Sequence, residues 1–144
     1  MKFVIQRVIA ASVIINNQTT ASINHGLLVY MAIHRDDQIK DCDKWVEKLL
    51  KLRIFADEHK PINRSIQDVN GEILLVSQFT LYGDTKGQNR PSFIQSKKPD
   101  EALPIYNYFA ESLKNRWSKT QLGEFAKDME IHSINDGPVT IIME

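Results

Sequence analysis

The chain has 144 residues, of which 42% are hydrophobic, and its 18 Lys and Arg residues balance 18 Asp and Glu residues. This composition is that of a globular domain, and a chain of this length buries enough surface to fold without disulfides or a structural metal. The zero formal net charge argues against a protein that coats nucleic acid, because wide phosphate contact needs many uncompensated cations, but it leaves room for a small local RNA contact.

The cysteine, the histidines and the apolar runs of the sequence argue against further classes of protein. The single cysteine, Cys42, cannot form an internal disulfide, and the four histidines are scattered singly, so we expect neither a metal nor a cofactor. The longest apolar run, 26–33, is too short to cross a bilayer, and the N-terminus reaches Gln6 and Arg7 before a signal-peptide core could form. We therefore expect a cytoplasmic protein without membrane contact, folded as a single domain over residues 1–144.

The N-terminal part of the chain predicts short strands. Residues 3–8 and 11–15 are rich in β-branched side chains, and a turn at 16–18 leads to an extended piece near Ser22. Residues 27–33 are apolar throughout, which is typical of a strand covered on both faces.

An amphipathic helix is predicted between residues 37 and 54, where apolar side chains recur at helical spacing and lysines occupy the opposite face. The apolar positions are Trp45, Val46, Leu49, Leu50 and Leu52. We expect Asp36 or Asp37 to cap this helix. A strand follows at 72–78, entered through the turn residues Asn70-Gly71.

The C-terminal part predicts a long loop, a helix and two strands. Residues 80–98 are polar and rich in turn formers, and loops of this length in small domains tend to be functional. The helix is marked by Tyr106, Phe109, Leu113 and Trp117. We expect Asp100 at its N-cap and Pro104 near its first turn.

The last two strands are predicted at 125–134 and 139–143, joined by a turn at 135–138. The complete order of elements predicts an α/β fold. We expect a mixed, curved, barrel-like β-sheet with two main helices packed on one side, in α/β/β layers.

Two segments carry candidate chemistry, 77–81 (SQFTL) at a strand end and 135–140 (NDGPVT) near the C-terminus. Each places hydroxyl groups or exposed main chain where a rigid strand meets an adaptable loop. Taken alone, the composition of the first favours a strand that leaves the core through polar residues. The second is equally compatible with an ordinary turn.

The whole sequence resembles the D-aminoacyl-tRNA deacylases, also called D-tyrosyl-tRNA deacylases. The resemblance is carried by 71–81 (GEILLVSQFTL), 90–93 (RPSF) and 135–140 (NDGPVT), in a chain of matching length. It implies a homodimeric hydrolase that cleaves the ester joining a D-amino acid to the 3′-terminal ribose of tRNA. Glycyl-tRNA is implied as a further substrate, and no cofactor is implied.

The resemblance also implies a mechanism at the first segment. Thr80 and neighbouring main-chain amides bind the substrate, while Ser77, Gln78 and Phe79 shape the pocket and help to form an oxyanion site. The ribose 2′-hydroxyl of the substrate helps to activate the attacking water. The sequence has no GxSxG elbow and no histidine in either segment, so a Ser-His-Asp triad has little support.

Further roles are implied for residues outside the first segment. Phe125 and Met129 match positions that receive the terminal adenine, although apolar residues of a strand are equally expected in a core. Gly137-Pro138 matches a cis peptide that enters the active site of the partner subunit and excludes L-amino acids. Arg7 matches an arginine that orients this peptide, the alternative being a surface arginine on an edge strand.

A basic group in the long loop completes the candidate residues. Lys86, Arg90, Lys97 and Lys98 are either contacts to tRNA phosphates or a solvated surface cluster. Three other functions stay open on the sequence: a module that binds aminoacyl-tRNA or nucleic-acid ends without catalysis, a DNA-associated protein, and an ordinary esterase.

Overall fold

The computed structural model describes all residues from Met1 to Glu144. The strands are β1 (Lys2–Ile15), β2 (Gln18–Ile23), β3 (Gly26–Ala32), β4 (Arg53–Phe55), β5 (Arg64–Ser65), β6 (Glu72–Ser77), β7 (Thr120–Leu122) and β8 (Glu130–Met143). The helices are α1 (Cys42–Leu50) and α2 (Pro99–Arg116), and two 3₁₀ turns span Ile39–Asp41 and Phe79–Tyr82.

Six of the strands form one mixed sheet in the order β2-β1-β3-β6-β7, with β8 paired to β1. The long strand β1 pairs antiparallel with β2, β3 and β8, whereas β6 pairs parallel with both β3 and β7. Strand β2 has Cα atoms within 8 Å of β6 and β7, so the sheet curves until it is nearly closed. This confirms the mixed, curved, barrel-like sheet predicted from the sequence.

The core consists of two apolar clusters on opposite faces of β3 and β6. Leu27 and Leu75 belong to the cluster that is covered by α1 and α2, while Leu28 and Leu74 belong to the cluster enclosed by β1 and β2. This alternation follows from the two-residue period of a strand, and it confirms that β3 is covered on both faces and that the layers are α/β/β.

The amphipathic helix α1 is confirmed, but its predicted cap is wrong. The helix begins at Cys42, after a 3₁₀ turn. The Asp37 carboxylate instead accepts a hydrogen bond from the His34 amide at 2.6 Å and lies 2.6 Å from the Met1 amino group. Asp37 therefore stabilises the turn before the helix, and Asp36 makes contacts with His34 and Arg35.

Helix α2 is also confirmed, and it begins earlier than predicted. Its N-cap is Lys98 and Pro99 occupies the first position, so Asp100 lies inside the first turn and is not the cap. Acidic side chains are favourable there because they face the positive end of the helix dipole. Pro104 lies beyond the first turn, inside the helix, where it removes one main-chain hydrogen bond.

Strand boundaries differ from the predictions at β1 and β8, and the short strands β4, β5 and β7 were not predicted. The runs 3–8 and 11–15 are parts of the single strand β1, and the two C-terminal runs merge into β8. The merging is possible because the register between β1 and β8 shifts between Gln6 and Val8, which accommodates the extra residues 136–139. Residues 125–129 are a turn and not a strand, and Ala126 there has φ of 58°.

Candidate active site

A cavity of about 640 Å³ opens where β3 and β6 end. Its walls come from the ends of these two strands, from residues 96–99 at the start of α2, and from the turn 125–129 before β8. Eleven of the 19 lining residues are hydrophobic. A mainly apolar cavity of this size with a few polar groups is typical of a small-molecule site.

The first candidate segment lies at this cavity. Ser77 is the last residue of β6, and the Gln78 amide donates to the Met31 carbonyl at 2.8 Å, which joins the ends of both strands. Ser77, Gln78 and Phe79 line the cavity, whereas Thr80 does not. The Thr80 hydroxyl instead accepts a hydrogen bond from the Gln78 side chain and so lies beside the lining residues.

Two main-chain amides begin the 3₁₀ turn at this point. The 3₁₀ turn after Gln78 uses the amides of Leu81 and Gly83, which donate to the carbonyls of Gln78 and Thr80. The amides of Phe79 and Thr80 have no main-chain or side-chain acceptor, as expected for the first residues of a helical turn. Both residues are exposed.

Phe125 and Met129 also line this cavity. The Phe125 ring packs against Tyr106 with centroids 5.3 Å apart, and Met129 packs against the cluster inside the sheet. Both side chains therefore belong to the edge of the core and to the cavity at once. Burial raises the pKa of Tyr106 to about 12, so its hydroxyl stays protonated at neutral pH.

The charges at the cavity are three lysines and one carboxylate, and no histidine or cysteine is among its lining residues. The charged residues are Lys97, Lys98, Lys127 and Asp128. Without a base beside a nucleophile, the cavity lacks the pair that covalent acyl transfer by a serine or cysteine requires. Lys86 and Arg90 are exposed on the long loop and do not line the cavity.

Arg7 anchors the second candidate segment. It is 9% exposed in the central strand β1, which excludes a solvated arginine on an edge strand. Its Nη1 atom donates to the carbonyls of Ile54 at 2.9 Å and Pro61 at 3.2 Å. Its Nε atom lies 2.9 Å from the Asp136 carboxylate, an ion pair whose geometry does not form an aligned hydrogen bond.

The Gly137-Pro138 peptide is cis and lies beside Arg7, away from the cavity. Gly137 has φ of 126°, and a Cβ atom there would lie 3.0 Å from Arg7 Nη2 and 2.9 Å from Val139 Cγ2. Only glycine fits this position without displacing a neighbour. One chain therefore does not bring its own two candidate segments together.

Several lining residues were missed from the sequence. Ala102, Phe93, Lys127 and Asp128 reach the cavity because α2, the long loop and the turn before β8 converge there. Phe93 belongs to the RPSF segment, which was a usable signal, and Lys127 and Asp128 lie between the two predicted adenine-binding residues. Nothing in the local sequence marks Ala102.

Two other observations concern the rest of the molecule. The structure brings together no group of three histidine, cysteine or carboxylate side chains that could hold a metal ion. None of its helices has the length and the apolar composition that crossing a membrane requires.

Known proteins are similar to this chain over nearly its whole length. The family model for D-Tyr-tRNA(Tyr) deacylase matches residues 4–144. The chain belongs to this family. It is 48% identical to a D-aminoacyl-tRNA deacylase of Flavobacterium johnsoniae, over all of this chain and 97% of that protein. These matches confirm the resemblance seen in the sequence, and they make the chain a member of a family of hydrolases.

Two solved structures share the fold of this chain. A c-Myc DNA unwinding element binding protein superposes with a TM-score of 0.94 at 37% identity, covering all of this chain and 98% of that chain. A probable eukaryotic D-amino acid tRNA deacylase superposes with a TM-score of 0.85 at 20% identity, covering 99% and 97% of the two chains. The second similarity shows that the fold is shared.

Proposed function

We propose that this protein hydrolyses D-aminoacyl-tRNA and releases the D-amino acid and free tRNA. The observation that carries the proposal is the match of residues 4–144 to the deacylase family, together with a cavity built around Ser77, Gln78 and Phe79. Relatives with 44% to 48% identity over the whole chain carry the name D-aminoacyl-tRNA deacylase. Such an activity belongs in the cytoplasm, where tRNA is charged.

The proposed mechanism uses positioning and charge stabilisation in place of a nucleophilic side chain. An aminoacyl ester is already activated, so binding its carbonyl and placing a water supply much of the acceleration. The free amides of Phe79 and Thr80 bind the oxyanion, while Ser77 and Gln78 shape the pocket around the ester. The 2′-hydroxyl of the substrate ribose helps to activate the water.

The adenine and the phosphates of the tRNA are assigned to residues outside the first segment. Phe125 and Met129 hold the terminal adenine, which suits their half-buried position at the cavity. Lys86 and Arg90 are exposed and lie outside the cavity, so we assign them to phosphates further from the 3′ end. This leaves the ester itself beside the first segment.

We further propose that the active form is a homodimer. Ile9, Ile134 and Ile142 are each more than half exposed on β1 and β8, which is the kind of surface that two-fold pairing covers. Gly137-Pro138 lies on β8 and away from the cavity of its own chain. Pairing would allow this peptide to complete the cavity of a second copy.

Selection of D-substrates is assigned to this peptide. Main-chain atoms placed against one face of the substrate α-carbon exclude every L side chain through one clash, whatever the side chain is. Glycine has no side chain to clash, so glycyl-tRNA is also a substrate. Arg7 holds the peptide in place through its ion pair with the neighbouring Asp136.

DNA binding is the second candidate function, because a solved structure with 37% identity is that of a c-Myc DNA unwinding element binding protein. The balanced charge of the chain argues against broad contact with DNA, which needs uncompensated cations. The hydrolysis assay described next separates the two functions, because a protein that only binds DNA would turn over none of the charged tRNAs.

The test is the hydrolysis of one tRNA charged with D-tyrosine, L-tyrosine or glycine, beside the free ethyl ester of D-tyrosine. We expect turnover of the D and glycyl substrates and a D to L preference of about a thousandfold, equivalent to ~4 kcal/mol between transition states. Equal D and L rates would contradict the proposal. Turnover of the free ester alone would indicate an ordinary esterase, and binding without turnover would indicate a binding module.

The assignment of Thr80 and Ser77 to positioning has its own test. Rapid quenching during turnover, followed by mass spectrometry, should show no aminoacyl adduct on the protein. Thr80→Ala should slow turnover through weaker alignment of the ester. A trapped acyl group on either hydroxyl would overturn the mechanism.

The proposed homodimer is tested by light scattering on the same sample, which should give about twice the 16.6 kDa chain mass.

A further inference from the structure

An exposed pair of aromatic rings lies at the mouth of the cavity, and the mechanism above does not use these rings. Phe79 and Phe93 meet edge to face, with ring centroids 5.1 Å apart and an interplanar angle of 70°. Both line the cavity, and they are 54% and 38% exposed. Adjacent apolar side chains left in water beside a cavity indicate a binding surface.

The long loop holds Phe93 in a fixed position. Asp84 and Ser92 exchange two main-chain hydrogen bonds of 2.8 and 2.9 Å. These bonds join the two ends of the loop 84–92, which connects Phe79 to Phe93 along the chain. The Ser96 amide donates to the Phe93 carbonyl at 2.9 Å, and the Lys97 amide donates to the carbonyl of Ile33, the residue that follows β3. The ring pair is therefore arranged before a ligand arrives, so binding orders little of the protein.

Cations lie at the same cavity as the rings. Lys98 and Lys127 are exposed lining residues, and neither forms an ion pair with a carboxylate. Asp128 is the one carboxylate among the lining residues. Open aromatic faces next to unpaired cations are the combination that binds single-stranded nucleic acid, because bases stack on the rings while cations attract the phosphates.

We propose that the Phe79–Phe93 pair stacks the base of the nucleotide that precedes the terminal adenosine, with the connecting phosphodiester directed toward Lys98 and Lys127. This inference rests on the proposed function, which places the single-stranded 3′ end of tRNA in the cavity. The proposed function assigns the terminal adenine to Phe125 and Met129, so the ring pair is free for the next base.

The test compares D-tyrosyl esters of adenosine, adenosine 5′-phosphate and cytidylyl-(3′→5′)-adenosine, after subtraction of spontaneous hydrolysis. In the unmodified protein, kcat/KM should rise by about tenfold or more when cytidine is added to the phosphorylated adenosine, the range expected for one stacked base. In Phe93→Ala this step should shrink to about twofold or less. Each protein is compared only with itself, so changes in overall activity do not enter the ratio.

Ile94→Ala is the matched control, because Ile94 is the next residue, is 75% exposed and does not line the cavity. It should retain the full cytidine step. Calorimetry with amide-linked analogues of the three esters should show the same pattern in Kd, which provides a measurement besides activity.

Three outcomes would overturn the inference. The first is that kcat/KM rises on addition of the phosphate and not on addition of cytidine. The second is that Phe93→Ala keeps the full cytidine step. The third is that Phe93→Ala halves the mass in light scattering and leaves the kcat/KM ratio of the cytidine step unchanged, which would make the rings a subunit contact. If the unmodified protein hydrolyses none of the esters, the proposed function fails, and the calorimetry still decides whether the rings bind the second base.

Discussion

Replacing Arg7 by lysine should lower both stability and D to L discrimination, because one guanidinium serves three acceptors. Arg7 contacts the carbonyls of Ile54 and Pro61 and the carboxylate of Asp136. Nη1 reaches the two carbonyls and Nε reaches Asp136, and one lysine ammonium cannot occupy both places. Lysine therefore loses either a charge-assisted hydrogen bond or the ion pair, and a lost hydrogen bond costs roughly 1.5–3 kcal/mol. Asp136 is 37% exposed, so water screens its share of the loss.

A net loss of about 2 kcal/mol should lower the Tm by about 8 °C, since ~4 °C per kcal/mol applies to a chain of this size. The assays are thermal unfolding and the D to L rate ratio on one tRNA. Arg116→Lys is the control, because Arg116 is 42% exposed and pairs with Asp43, and it should shift the Tm by no more than about 2 °C. Equal Tm shifts for the two variants would refute the anchoring role. A lower Tm with an unchanged D to L ratio would remove Arg7 from substrate selection.

Three other expectations concern the scaffold. Gly26→Ala should prevent cooperative unfolding, because the added Cβ would lie 1.9 Å from the Glu72 carbonyl oxygen and would separate β3 from β6; a normal calorimetric transition would contradict this. Stability should fall as the pH drops below about 4. The reason is that hydrogen bonds from Ser112 and Tyr108, with Arg116 nearby, lower the pKa of Asp43, and the stabilisation is lost as the pH falls through that lowered pKa. Urea unfolding should show a shallower pH dependence for Asp43→Asn. Burial raises the pKa of Cys42 to about 12, so its thiol should react with a disulfide reagent at pH 8 only as fast as the protein unfolds, and rapid labelling of the native protein would be inconsistent with the buried position.

Periodicity predicted the elements whose burial is local and regular. The apolar run of β3 and the stripe of α1 follow directly from the two-residue and 3.6-residue repeats, so both were predictable. The cap of α1 was not, because Asp37 contacts Met1, a residue that only the folded sheet brings near. Local preference for a cap was overridden by a tertiary contact.

The continuity of β8 could not be predicted for a related reason. Asn135-Asp136-Gly137-Pro138 has the composition of a turn, and composition alone separates two strands there. In the fold, β1 pairs with β8 on both sides of this segment, and the register shift accommodates the extra residues. Whether such a segment reverses the chain or forms a bulge depends on whether a partner strand continues beside it.

The two candidate segments, 77–81 and 135–140, lie at different places in the fold, which bears on the proposed homodimer. The first segment lines the cavity, and the second is held at Arg7, away from that cavity. Arg7 is buried in a central strand and β8 pairs with β1 on both sides of the second segment, so the sheet holds this segment where it does not line the cavity of its own chain. If both segments act on one substrate, the second must come from another copy. Chiral selection and dimerisation are then a single property, and any change that separates the subunits must remove both together.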